Sequence, residues 1–106
     1  MDIQLKKGLL DTYVLHVLLD GPTYGYELYA RVIQDFTISE STLYPIFRRL
    51  EKENYVSTYQ EEHNGRLRKY YQITELGKVQ LKNAISELQD LNKVINKIII
   101  GGLKNE

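Results

Sequence analysis

Leu81, Ala84, Leu88, Leu91, Ile95 and Ile98 are separated by three, four, three, four and three positions. At 3.6 residues per turn this alternation sets all six on one seam of a helix, the a/d pattern of helices that pack against a partner. Ile85, Val94 and Ile99 widen the seam. Thr74 supplies an N-cap and Gly101-Gly102 a stop, so the spacing predicts one helix ending near Ile100, about 39 Å long at 1.5 Å per residue. The chain has 106 residues, enough for one small core and not for a second. A helix this long outruns such a core. Its seam calls for a second copy of the chain, with docking wholly on its own core as the alternative. Gly77 costs about 1 kcal/mol against alanine in a helix and is expected to permit close packing.

The residues before the seam must build the core. Leu9, Leu10, Tyr13, Val14, Val17 and Leu18 form the stripe of a first helix, which Asp20-Gly21-Pro22 ends. Thr23 is the expected N-cap of a second helix reaching about Gln34, with Leu28 and Val32 inward. Leu43, Ile46, Phe47 and Leu50 mark the buried face of a third helix, capped by either Ser39 or Ser41. Pro45 lies inside it. With Ser41 as cap, the proline falls among donors that lack helical partners anyway; with Ser39, it bends the second turn and frees the Ser41 carbonyl.

Opposite the apolar stripe of that helix lie Ser41, Pro45, Arg48 and Lys52, flanked by Thr42, Tyr44 and Arg49. The face is small and polar at its N-terminal end and cationic beyond. A helix entering a DNA groove needs short side chains near base edges and guanidinium groups for phosphates or guanine. A solvated surface with incidental arginines has the same profile. The next segment favours the first reading. Tyr55–Tyr59 and Tyr70–Ile73 are rich in aromatic and β-branched residues and flank Asn64-Gly65, the strongest short hairpin signal. A two-residue turn there sets Tyr59 against Tyr70, Val56 against Ile73 and Glu61 against Arg68, all favourable pairs. The hairpin carries Arg66, Arg68 and Lys69 near its tip, as a wing does. The expected fold is mainly α with a small β-hairpin: a winged helix-turn-helix over residues 1–73, then a long C-terminal dimerisation helix over 74–106.

Composition excludes several alternatives. There is no cysteine, which removes disulfides, cysteine-type zinc fingers and thiol catalysis and fits a reducing cytoplasm. The opening MDIQLKKGLL lacks the apolar core and cleavage site of a signal peptide, and no run approaches a membrane span. A soluble protein is expected. Net charge is zero, but unevenly spread. Lys6, Lys7 and Arg31 face Asp2, Asp11, Asp20, Glu27 and Asp35 in the first third, while cations gather at Arg48, Arg49, Lys52 and at Arg66, Arg68, Lys69. Salt screens charges beyond about 8–10 Å, so the local field governs attraction to phosphate. His16, His63 and the paired glutamates Glu61-Glu62 form no catalytic set, and neither a metal site nor a cofactor site is expected. The nine tyrosines suit core, interface or the lining of a pocket for a flat ligand.

With these pieces placed, "YGYEL" (Tyr24–Leu28), "STLYPIFRRLEKENYV" (Ser41–Val56) and "GRLRKYYQITELGK" (Gly65–Lys78) make the chain resemble the PadR family of bacterial transcriptional regulators. The match runs from about Leu9 to Leu81. The resemblance implies a cytoplasmic homodimer that represses transcription by occupying a pseudo-palindromic operator in double-stranded DNA. It makes 39–53 the recognition helix, explains Pro45 as usual there, and makes 55–73 the wing. DNA contact is then expected from Tyr24, Ser39, Ser41, Thr42, Tyr44, Arg48 and Arg49, and from Asn64, Arg66, Arg68 and Lys69 of the wing. Leu81, Ala84, Leu88, Leu91, Ile95 and Ile98 would form the dimer interface. Asn54 stands where the family often has glycine, and asparagine tolerates the left-handed conformation needed. Some short members stack planar drugs on tryptophan at the dimer interface, and this chain has none. A small aromatic effector would instead meet Tyr13, Val17, Leu88 and Leu91, unless Leu and Ile packing closes that gap. The rival reading keeps the winged helix but turns its third helix and wing toward a protein partner. Zero net charge is its main support.

Overall fold

Asn64 and Gly65 both have positive φ, 52° and 79°, the pair of left-handed residues that a type I′ hairpin turn demands. The computed structural model describes residues 9–105. Residues 1–8, on which the signal-peptide reading and the Lys6/Lys7 charges fall, lie outside the described residues. In chain order the elements are α1 (Leu10–Leu18), β1 (Thr23–Tyr24), α2 (Gly25–Val32), α3 (Glu40–Lys52), β2 (Val56–His63), β3 (Arg66–Ile73) and α4 (Glu75–Lys104). The hairpin holds the expected register, with Val56 opposite Ile73, Tyr59 opposite Tyr70 and Glu61 opposite Arg68.

A third strand was not expected. β1 lies on the far edge of β3, antiparallel, pairing Thr23 with Tyr71 and Tyr24 with Tyr70. Thr23 is therefore a sheet residue and not a helix cap. Its side chain is buried with Oγ1 unpaired, and Tyr24 takes the N-cap position without a side-chain bond. α2 also ends at Val32, short of Gln34.

The core gathers Leu10, Val14, Leu15, Leu18 and Val17 of α1, Leu28 and Val32 of α2, and Leu43, Phe47 and Leu50 of α3 against Val56, Tyr71 and Leu81. The cap of α3 is Ser39, whose hydroxyl accepts from the Thr42 N–H at 3.3 Å. Pro45 thus sits in the second turn, where it has no N–H to give the Ser41 carbonyl. Its own side chain is exposed, so the ring meets solvent and not the core.

Two residues past the end of α3, Asn54 lies in the left-handed region at φ 65°. The Asn54 carbonyl accepts a 2.6 Å bond from the Thr74 hydroxyl, which itself accepts from the Gly77 N–H at 2.9 Å. One cap side chain thereby ties the start of α4 to the end of α3. Gly77 completes the junction. A Cβ there would stand 2.1 Å from the Tyr55 carbonyl oxygen and 2.8 Å from Ile73.

α4 does not stop at Gly101-Gly102 but runs to Lys104. Each glycine costs about 1 kcal/mol, yet each still adds its backbone bond to an established helix. The side chain of Asn105 closes the end by donating to the Gly101 carbonyl at 3.0 Å. Its 30 residues give about 45 Å of helix. Only Gly77 and Leu81 are buried, and Ala84 and Leu88 are half-buried. Leu81, the first seam residue, belongs to the chain's own core. From Leu91 outward the seam is exposed, and the molecule measures 61 × 27 × 21 Å. Among the described residues no helix is long and apolar enough to cross a membrane.

Gly77→Ala is expected to lower stability by about 1–3 kcal/mol, the usual cost of forcing a group into a filled site. Gly101→Ala meets no atom within 4 Å and should leave stability unchanged or raise it by up to about 1 kcal/mol. Denaturant midpoints of the two variants check the contrast; a Gly77→Ala midpoint at or above that of the wild type would show that helix propensity, not packing, governs Gly77.

Candidate nucleic-acid interface

The N-terminal end of α3 carries three exposed hydroxyls in mutual contact. Ser39 Oγ lies 3.0 Å from Ser41 Oγ and 2.9 Å from Thr42 Oγ1. They are short and exposed, as close approach to a groove requires. Farther along, Arg48 is exposed, and among the described residues it takes part in no ion pair.

Arg49 differs from its neighbour. Its guanidinium meets Asp11 Oδ1 of α1 at 2.6 Å. That hydrogen bond raises its pKa above the ordinary arginine value, against a smaller desolvation effect. The charge is compensated and the side chain fixed between two helices. Tyr44 also faces inward in part. Its ring packs edge-on to Phe47 at 5.3 Å, and a Cβ on Gly25 would come within 3.2 Å of it. Burial, then Glu40, pushes its hydroxyl pKa up. Tyr44 therefore fastens α3 to the first residue of α2.

On the wing, successive residues of β3 go opposite ways. Lys69 points to the core side, reaching Glu51 Oε1 at 3.3 Å, while Thr58 donates to Glu51 Oε2 at 2.6 Å. Thr58 first, then Lys69, holds the Glu51 carboxyl below its ordinary pKa. Arg68 turns to the other face, with its guanidinium 4.2 Å from the centroid of the Tyr24 ring. Arg66 and Asn64 are exposed at the tip, and Arg66 is in no ion pair among the described residues.

The eleven residues assigned to DNA contact thus divide. Ser39, Ser41, Thr42, Arg48, Asn64 and Arg66 stand on the surface. Arg49 and Lys69 are paired to carboxylates, Tyr44 is packed, and Tyr24 and Arg68 lie on one another. Sequence reasoning missed Asp11 and Glu51 as the neutralising partners. Asp11 is 38 positions from Arg49 and Glu51 is 18 from Lys69, so neither pairing has a local signal.

A second concavity lies between α1 and α4. A cavity of about 490 Å³ is lined by Leu9, Thr12, Tyr13, His16, Asp35, Phe36, Leu81, Ile85 and Leu88. A neighbouring hollow of about 560 Å³ is lined by residues including Leu88, Leu91 and Ile95. Tyr13 and Leu88 are brought together, and Leu88 joins Leu91. Val17 lines neither. It lies in the core at 4% exposure: on the one stripe it falls on the side toward Val14, whereas Tyr13 falls on the side toward His16. The Tyr13 hydroxyl donates to Asp35, and that bond raises its pKa. Among the described residues no group of His, Asp and Glu could hold a metal ion.

The family model described as the transcriptional regulator PadR-like family matches residues 14–83. The crystal structure of smu.1704 from Streptococcus mutans superposes with a TM-score of 0.83 at 37% identity, covering 89% of each chain. A PadR-like transcriptional regulator from Bacillus cereus superposes at 0.82 with 28% identity, over 91% of this chain and 96% of its own. A transcriptional regulator of Mycobacterium tuberculosis, Rv3488, is 25% identical over 93 residues, 87% of either chain.

Proposed function

The chain belongs to the PadR-like family of transcriptional regulators, and from that premise we propose a homodimeric repressor that places α3 of each protomer in the major groove of a pseudo-palindromic operator. What carries the reading is the distribution of uncompensated charge. α3 presents Arg48 behind a row of exposed hydroxyls, and the wing presents Arg66, while Arg49 and Lys69 are already neutralised. A net charge of zero is compatible with DNA binding, because the local field around uncompensated cations, and not the sum over the chain, governs attraction to phosphate.

The cations should separate in titrations against an operator selected from random duplexes. Arg48→Ala is expected to weaken operator binding and relax preference at one position, at about 1–3 kcal/mol. Arg66→Ala should weaken specific and random DNA alike and reduce the salt slope by about one. Arg49→Ala should leave the slope nearly unchanged. Equal affinity for wild type and an Arg48/Arg66 double variant would sink the assignment. A binding partner insensitive to salt would point to protein recognition instead.

The exposed seam supports the dimer. Leu91, Val94, Ile95, Ile98 and Ile99 are 40–68% exposed, a continuous apolar surface of the sort monomers rarely leave in water. Leu91 and Ile95 are exposed and outside the chain's own core, so Leu91→Asp with Ile95→Asp should leave the fold intact and give monomers in sedimentation. A wild type that sediments as a monomer at micromolar concentration refutes the dimer outright.

The cavity beside Tyr13 and Leu88 suits a small aromatic effector, with the Tyr13 ring edge for contact and Asp35 at its polar end. Release of DNA requires a ligand that prefers the dimer geometry unable to bind. Such a compound is expected both to raise the thermal midpoint and to weaken operator affinity. Compounds that only raise the midpoint would exclude this mode of control for the series tested.

A further inference from the structure

Tyr71 enters the core and Lys69 reaches Glu51 from one face of β3, so Arg68 and Tyr70 lie on the other face, away from the helices. There the register aligns three tyrosines across all three strands, because Tyr24 and Tyr59 both pair with Tyr70. Tyr59 and Tyr70 stack with ring planes 7° apart and centroids 5.3 Å apart. Tyr24 meets Tyr70 edge-on at 5.9 Å. The Arg68 guanidinium lies over the Tyr24 ring, 4.2 Å from its centroid. Glu61 is the direct cross-strand partner of Arg68, yet no ion pair joins them among the described residues. The guanidinium lies on the ring instead.

A guanidinium stacked on an aromatic face keeps its full charge and leaves N–H groups along its edge for an anion. We propose that Tyr24, Tyr70 and Tyr59 form an aromatic ladder that holds Arg68 on the outer face of the wing, oriented to take a phosphate of the DNA backbone. The proposal rests on the DNA-binding reading above and adds Tyr70 and Tyr59 to it as positioning residues. An arginine already ordered on a ring loses less side-chain freedom on meeting a phosphate than Arg66, which starts free in solvent. The ladder spans β1, β3 and β2, so it also joins the strand that leads into α2 to both strands of the wing.

The test is a cycle of four proteins, wild type, Tyr24→Leu, Arg68→Ala and the double variant, titrated by anisotropy against a random-sequence duplex. Arg68→Ala should weaken binding and lower the salt slope by about one. Tyr24→Leu should weaken it about two- to fivefold, the range of an exposed cation–π contact. The double variant should bind no more weakly than Arg68→Ala. Losses that multiply would overturn the ladder. A second measurement needs no DNA: the Arg68 Nε–H proton should resonate upfield from the ring current in wild type and Tyr24→Phe. In Tyr24→Leu it should return to the position of a free arginine; a resonance that does not move overturns the proposal whatever the affinities. Intact affinity in Arg48→Ala and Arg66→Ala would defeat the DNA-binding reading and the ladder with it. Weakened affinity in those two, with an additive Tyr24/Arg68 cycle, would defeat the ladder alone.

Discussion

At the junction of Asn54-Tyr55 with Thr74–Gly77, two helices that do different work are held in one geometry. Thr74 Oγ1 donates to the Asn54 carbonyl just past α3 and accepts from the first turn of α4, while the Tyr55 carbonyl accepts the Thr74 N–H. Gly77 lets the α4 backbone come so close that a single methyl would strike that carbonyl. Three polar contacts and one missing side chain thus fix the angle at which the long helix leaves the domain. The hairpin between them is also constrained, since both its ends are anchored at this point. Without the junction, the α4 seam and the α3 outer face would be connected only through the core.

Charge follows a comparable logic of pairing. Asp20 holds Arg31, Asp11 holds Arg49 and Glu51 holds Lys69, each between elements distant in sequence. All are partly exposed, and such pairs contribute at most about 1 kcal/mol each to stability. Their larger consequence is selective. They compensate two of the cations of α3 and the wing, Arg49 and Lys69, and leave Arg48, Lys52, Arg66 and Arg68 in no ion pair among the described residues.

The sequence disclosed whatever rests on local chemistry. Asn64-Gly65 determined a turn, and the turn determined the register of every pair in the hairpin. The stripe of α3, its breach by Pro45 and the left-handed Asn54 were legible for the same reason. Non-local pairing was not. Thr23-Tyr24 reads as a helix start because two residues carry no strand periodicity, and only β3 alongside makes them a strand. Gly101-Gly102 reads as a stop, yet a long helix already nucleated crosses two glycines and ends on Asn105. Val17 and Tyr13 fall on the same apolar stripe, and only packing against α4 separates the buried residue from the one that lines a cavity. The Tyr24–Tyr70–Tyr59 row was beyond reach for a related reason, since one of its two pairings depends on the unforeseen strand.

Leu81 and Leu88 show how the cavity and the seam are linked. Leu81 is buried in the core, Leu88 lies one seam step beyond Ala84 and half-exposed, and both line the hollow beside Tyr13. In a dimer joined along α4, a group occupying that hollow presses on the last residue held by the chain itself and the first residues held by a partner. Because α4 is tied to α3 at Gly77, in the proposed dimer a small change in how the two copies of α4 cross would be carried to the separation of the two α3 helices. The half-sites of a pseudo-palindromic operator, on the proposed reading, would fix that separation at about one helical turn of DNA, 34–36 Å. The tolerance is therefore set by DNA, while the lever arm is the roughly 45 Å of α4. Inverting a 99:1 preference takes about 5.5 kcal/mol of differential binding. A hollow lined mainly by apolar side chains can supply that only if its shape, and not merely its exposure, differs between the two dimer geometries.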